Sequence, residues 1–151
     1  MLQNEGFIMS TTVTPYLFFS GRCEEALAFY AKAAGAELIM SMKFSESPAP
    51  VPAGVLAPGF EHKIMHSSFR IGETTVFASD GCDDKAKFEA FSLAISVSSN
   101  EDCDRIFNGL SEGGEVSMPL CATFWSPRYG MLKDKFGIHW MVMIPGETPP
   151  K

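Results

Sequence analysis

Histidine is scarce in this chain: His62, His66 and His139 are the only three in 151 residues. Metal chemistry built on imidazole rings therefore has few starting points. The four cysteines, Cys23, Cys82, Cys103 and Cys121, form no C-x-x-C pair, which excludes the common zinc knuckles. They read as small core residues in a reducing cytosol. Basic residues are in the minority, 12 Lys and Arg against 18 Asp and Glu, for a net charge of −6. A surface of that sign repels nucleic acid and anionic membranes, so small molecules or other proteins are the expected partners. No apolar run approaches the roughly 18 to 20 residues of a membrane span. Met1 to Ser10 has neither the basic nor the apolar region of a signal peptide, and is expected to be a disordered leader with Met9 as an alternative start. A soluble, cytoplasmic chain that binds neither nucleic acid nor membrane is the expectation. No glycine-rich turn leads from a strand into a helix, and no serine stands in a nucleophile elbow.

What is present is a duplication. One copy runs Val13 to Phe19, Cys23 to Ala34, Gly35, then Glu37 to Phe44. The other runs Phe91 to Val97, Asn100 to Leu110, Gly113-Gly114, then Glu115 to Met118. Cys23, Ala26, Leu27 and Tyr30 occupy i, i+3, i+4 and i+7 of a helix, and Cys103, Ile106, Phe107 and Leu110 repeat that spacing 80 residues later. Glu24 and Glu25 suit the first turn of the first helix and Gly35 its stop. The second helix opens on a capping-box pattern, Ser98 with Glu101, and stops at Gly113-Gly114. Two further strands follow in each copy: Lys63 to Ile71 and Thr74 to Ser79, then Arg128 to Lys133 and Ile138 to Ile144. Each half thus reads strand, helix, strand, strand, strand, over 11–80 and 91–145. A linker at 81–90 and a tail at 146–151 complete one fused domain of the α+β class.

Pro48, Pro50, Pro52, Gly54, Pro58 and Gly59 make 45–61 a long loop, a length associated with lids and binding loops. Its counterpart, Cys121 to Pro127, is tighter.

Taken in order, Thr14-Pro15-Tyr16-Leu17-Phe18-Phe19, Glu24-Glu25-Ala26-Leu27-Ala28-Phe29-Tyr30, Gly35-Ala36-Glu37-Leu38, His66 with Arg70-Ile71-Gly72, Ala78-Ser79-Asp80, Thr123-Phe124-Trp125 and Asp134 to Trp140 resemble the vicinal oxygen chelate superfamily. This superfamily includes glyoxalases, bleomycin-binding proteins and extradiol dioxygenases, and the likeness is to its PhnB-like branch, over about Thr11 to Ile144. The resemblance implies paired βαβββ modules in an open, incompletely closed mixed barrel, and a homodimer whose subunits complete each other's cavities. Metal enzymes of the superfamily carry His, Gln or Glu ligands near the first strand of each module and near the outer end of the last. Here those places offer Pro15 and Tyr16, Phe91-Ser92-Leu93, and Trp140-Met141-Val142-Met143. Thioethers are poor ligands for such ions. No metal cofactor is therefore expected.

His62 and His66 cannot readily share an ion along a strand, where four residues span about 13 Å. Across a hairpin at Gly72-Glu73, His66 falls opposite Ser79 and next to Asp80, so a shared polar site is expected there. His139 is expected to be structural. Tyr16 on the first strand, and Trp125 and Tyr129 around the short loop, supply an aromatic surface, whereas Phe18 is expected in the core. The leading expectation is a small-molecule-binding protein with Tyr16, His66, Asp80, Trp125 and Tyr129 at its site. A divalent-metal lyase, isomerase or dioxygenase starting from His66 and Asp80, and a non-catalytic dimeric regulatory protein, are the alternatives. The family has at times carried a demethylubiquinone methyltransferase label, but the chain is short for a separate cofactor domain and lacks a nucleotide turn.

Overall fold

The alternation of apolar strands and amphipathic helices folds as expected into two βαβββ units; the computed structural model describes residues 10–147. The first unit contains β1 (Tyr16–Phe18), α1 (Cys23–Ala34), β2 (Glu37–Lys43), β3 (Ile64–Ile71) and β4 (Thr74–Ser79). The second contains β5 (Ser92–Ser96), α2 (Asn100–Ser111), β6 (Glu115–Cys121), β7 (Arg128–Lys133) and β8 (His139–Ile144). The expected leader and tail lie, for residues 1–9 and 148–151, outside the described residues. Among the described residues no helix is long and apolar enough to cross a membrane.

Each unit makes one four-stranded sheet, in the orders β1-β4-β3-β2 and β5-β8-β7-β6. The first strand runs parallel to the last, and the remaining pairs are antiparallel. The sheets are mixed and do not close into a barrel. The repeated helix positions are what the core uses: Cys23, Ala26, Tyr30, Cys103, Ile106, Phe107 and Leu110 are all buried. They join Leu17, Phe69, Val76, Leu132, Trp140 and Val142 in one cluster spanning both units. The helices meet where Gly109 lies against Ala33; a Cβ there would stand 3.0 Å from the Ala33 Cα. Glycine at that point lets the two backbones approach closely.

Three local expectations need correction. The N-cap of α2 is Ser99, not Ser98: its hydroxyl accepts the Asp102 N–H at 3.1 Å. Ser98, Ser99 and Asn100 are all able caps, and the pattern alone could not choose among them. His62 sits in a short 3₁₀ turn (Phe60–His62), exposed beside Glu61, and not on a strand with His66. Cys82 and Cys121 are exposed, so only Cys23 and Cys103 are core thiols; all four are free.

The long loop is anchored at its far end. Phe60 is buried, and the Ala57 N–H donates to the Cys82 carbonyl at 2.8 Å.

Candidate functional site

Residue alternation along each strand assigns one sheet face to the helices and leaves the other open. In the first sheet Leu17, Ser67, Phe69, Val76 and Ala78 are buried toward α1. The opposite face carries Tyr16, Phe18, His66 and Phe77, and beyond them Met40 and Met42, which pair with Ser68 and His66. Phe18 therefore corrects the core expectation. It is 45% exposed, while its neighbours Leu17 and Phe19 are buried.

These side chains form a continuous cluster. Tyr16 Oη lies 3.0 Å from His66 Nδ1. Phe18 stacks on Tyr16 with ring centres 4.9 Å apart, and Phe77 lies 5.2 Å from the His66 ring. With Tyr16 at 39% exposure, the face combines aromatic surface with one hydrogen-bonding pair able both to donate and to accept.

Asp80 takes a different part. Its carboxylate is 1% exposed and accepts three backbone N–H groups: Gly21 and Cys23 at the start of α1, and Ile64 at the start of β3, each at 2.8 Å. The residue before α1, Arg22, offers no side-chain cap. Asp80 thus caps α1 from 57 residues away and is fixed on the helix side of the sheet. The expected polar site shared by His66 and Asp80 is not formed, because their side chains occupy opposite faces.

Trp125 and Tyr129 form a second, separate group. Trp125 stands edge-on to Tyr129 with ring centres 5.4 Å apart, leaving Tyr129 8% exposed and Trp125 47%. Phe124, beside it, is 97% exposed. The loop is held by Ser126, whose hydroxyl donates to the Ile144 carbonyl at 2.6 Å, while its N–H donates to Thr123 Oγ1 at 3.0 Å. Tyr129 pairs with Met143 across β7 and β8, and Met131 with Met141, so the open face of the second sheet is rich in thioethers. Between the units, an apolar groove of about 630 Å³ is lined by Pro15, Val76, Leu93, Ile95 and Trp140. None of the five expected site residues lines it.

The residue that sequence reading missed is Asp134. Its carboxylate accepts the Tyr30 hydroxyl at 2.5 Å, the Trp140 Nε1–H at 2.8 Å, and the N–H groups of Phe136 and Ile138. One buried charge thereby links α1 of the first unit to the β7–β8 connection of the second. Burial, reinforced by the Asp134 charge, pushes the Tyr30 phenol well above its usual range. The order Asp134-Lys135-Phe136-Gly137-Ile138-His139-Trp140 was the available signal, since a tight turn around an acid brings a later indole back to it.

A divalent ion of the kind bound by metal enzymes of this fold needs several oxygen or nitrogen donors at one point. Among the described residues no three His, Cys, Asp or Glu side chains converge in that way. His66 has tyrosine and phenylalanine rings around it, and Asp80 is committed to backbone donors. The donor set does not fit such an ion.

Two mixed four-stranded sheets, each backed by one helix and open on its other face, define a glyoxalase-fold protein of the vicinal oxygen chelate superfamily. Within it the chain belongs to the family described as 3-demethylubiquinone-9 3-methyltransferase, whose profile matches residues 11–143, and to the PhnB-like branch. It is 32% identical over 145 residues to protein YjdN of Escherichia coli strain K12, covering 91% of this chain and 97% of that one. The crystal structure of PA1353 from Pseudomonas aeruginosa is 35% identical with a TM-score of 0.78, over 91% of this chain and 100% of that one. A PhnB protein from Bacillus cereus is 26% identical with a TM-score of 0.72, over 89% and 99%.

Proposed function

We propose that this PhnB-like protein binds a small molecule on its open sheet faces without the metal triad of the superfamily's enzymes. The observation that carries the reading is the Tyr16–His66 pair, set 3.0 Å apart in a half-exposed aromatic surface with Phe18 and Phe77. A mostly apolar surface with a few fixed polar atoms is the usual design of a ligand site. Trp125 and Tyr129 supply the second wall. They lie on the other sheet, and the homodimer implied by the superfamily is the arrangement that brings an open first-unit face and an open second-unit face together. Asp80 supports the site from behind by fixing the ends of α1 and β3. The methyltransferase description of the family is not carried over as an activity, because neither strand-to-helix connection has a glycine-rich nucleotide turn. The buried free thiols Cys23 and Cys103 suit a reducing cytoplasm.

Calorimetric titration of the purified protein against a broad set of aromatic metabolites and antibiotics of either charge tests the reading. Saturable binding is expected, weakened about tenfold by Tyr16→Phe through a lost hydrogen bond and by Trp125→Ala through lost contact area. The protein should sediment as a dimer. Silence across the whole set, or binding indifferent to both substitutions, would refute it.

A further inference from the structure

A second cavity, of about 420 Å³, lies where the two units adjoin, walled by Phe18, Lys87, Glu89, Lys133, Phe136 and His139 among others. Its charge runs against that of the protein as a whole. Two lysines and His139 line it with one carboxylate residue, Glu89, in a chain whose net charge is −6. Two of the three are direct cross-strand partners: Lys133 on β7 stands opposite His139 on β8. An ammonium and an imidazole in that relation can both donate to one anion placed between them. The neutralisation available within the chain is weak. Lys133 reaches Glu115 only at 3.8 Å, and both side chains are largely exposed. Among the described residues Lys87 and His139 make no ion pair.

The cavity wall is also built. The connection between the units is pinned by Phe88, edge-on to the buried Phe19 with ring centres 5.3 Å apart, and by the Ser20 hydroxyl donating to the Ala86 carbonyl at 3.3 Å. On one side the wall is Phe18, whose ring stacks on Tyr16. Phe18 is therefore shared by the cavity and the aromatic face around His66.

We infer that this cavity binds the anionic head, carboxylate or phosphate, of a small organic ligand whose apolar body lies across Phe18 toward Tyr16. The inference rests on the reading above that the open face takes a small molecule, and it names the chemical class of that molecule. Lysine ammonium groups supply the charge and His139 a ring N–H. Phe18 and Phe136 exclude water from the apolar part.

The test uses benzoate, phenyl phosphate and inorganic phosphate as probes, with neutral benzamide as the control, in calorimetric titrations at low and high salt. Benzoate and phenyl phosphate should bind saturably and benzamide far more weakly, and 0.5 M salt should weaken the anions. Lys133→Gln and Lys87→Gln should each reduce anion affinity about tenfold. Glu89→Gln should raise it a few-fold, which no loss of folding could mimic. Urea midpoints matching the parent show that the exposed substitutions leave the fold intact. Phosphate and phenyl phosphate binding alike would place the affinity in the head; phenyl phosphate binding more tightly would show that the body contributes. Benzamide binding as tightly as benzoate, or lysine variants matching the parent, would overturn the anion site. If aromatics still bound in those variants but not after Tyr16→Phe or Trp125→Ala, the broader reading would stand; no binding by any aromatic would remove both.

Discussion

Replacing Asp80 by asparagine keeps the side-chain shape and changes one oxygen and the charge. In the folded protein Oδ1 accepts the Gly21 and Cys23 N–H groups, and Oδ2 accepts that of Ile64. The better orientation of the amide keeps its oxygen toward Gly21 and Cys23 and turns its NH₂ against the Ile64 N–H, donor against donor. One hydrogen bond is lost outright and two lose their charge assistance. At about 1.5–3 kcal/mol for a bond to a charged group, the cost should be about 3 kcal/mol. Asp80→Ala strips all three donors and should cost about 4–5 kcal/mol, a large part of the roughly 5–15 kcal/mol that holds a domain folded. Urea unfolding followed by tryptophan fluorescence measures both. With a slope of about 2 kcal/mol per molar, Asp80→Asn should lower the midpoint by about 1.5 M. A midpoint within about 0.3 M of the parent would refute the account of Asp80 as a cap. Because its carboxylate faces away from His66, ligand affinity of the folded Asn variant should stay at the parental value; a tenfold loss without loss of stability would return Asp80 to the site.

Other outcomes follow from the packing of buried thiols, phenol and glycine. Burial pushes the Cys23 thiol up to about 12, and Tyr30 is also raised. Because the folded state keeps these protons after the unfolded chain releases them, the contribution of these two groups to stability should be level below about pH 9 and fall above it. The slope for Cys23 is about 1.4 kcal/mol per pH unit. Tyr30 adds to the fall from about pH 10, so Cys23→Ala and Tyr30→Phe should each flatten the curve of urea midpoint against pH. Thiol titration with an aromatic disulfide should label Cys82 and Cys121 quickly, and Cys23 and Cys103 only on unfolding. Gly130→Ala would place a Cβ 2.6 Å from Phe107 Cε2 and 2.9 Å from Leu120 Cδ2. The crowding should cost about 1–3 kcal/mol, read as a lowered thermal midpoint.

The element order and both helix faces were legible because they depend on local periodicity, and Cys23, Ala26, Cys103 and Ile106 fell where the spacing put them. Phe18 was not, since Tyr16-Leu17-Phe18-Phe19 is apolar throughout and an unbroken run cannot report which alternate residues face the core. The candidate site was half legible. Tyr16 and His66 were named separately, but their contact depends on a diagonal across β4 that only the strand order reveals. The capping role of Asp80, as distinct from its place in the list of site residues, was hidden for a different reason. Its partners are backbone N–H groups 16 to 59 residues away, which leave no pattern near the acid, whereas only the Tyr30 contact of Asp134, 104 residues away, was beyond local reading.

The two helices of the duplicated halves begin in different ways. Helix α2 carries its own start in Ser99, so its first turn is stabilised by residues three apart. For α1 the corresponding help arrives from Asp80, beyond the β3–β4 hairpin. An isolated helix of this length is marginal in water, so α1 gains its start only once a loop of more than fifty residues has closed. The start of α2 therefore needs only its own residues, whereas that of α1 needs the closed β3–β4 hairpin. The symmetry of the two copies thus stops at their helix starts, one completed by its own residues and the other by an acid far along the chain.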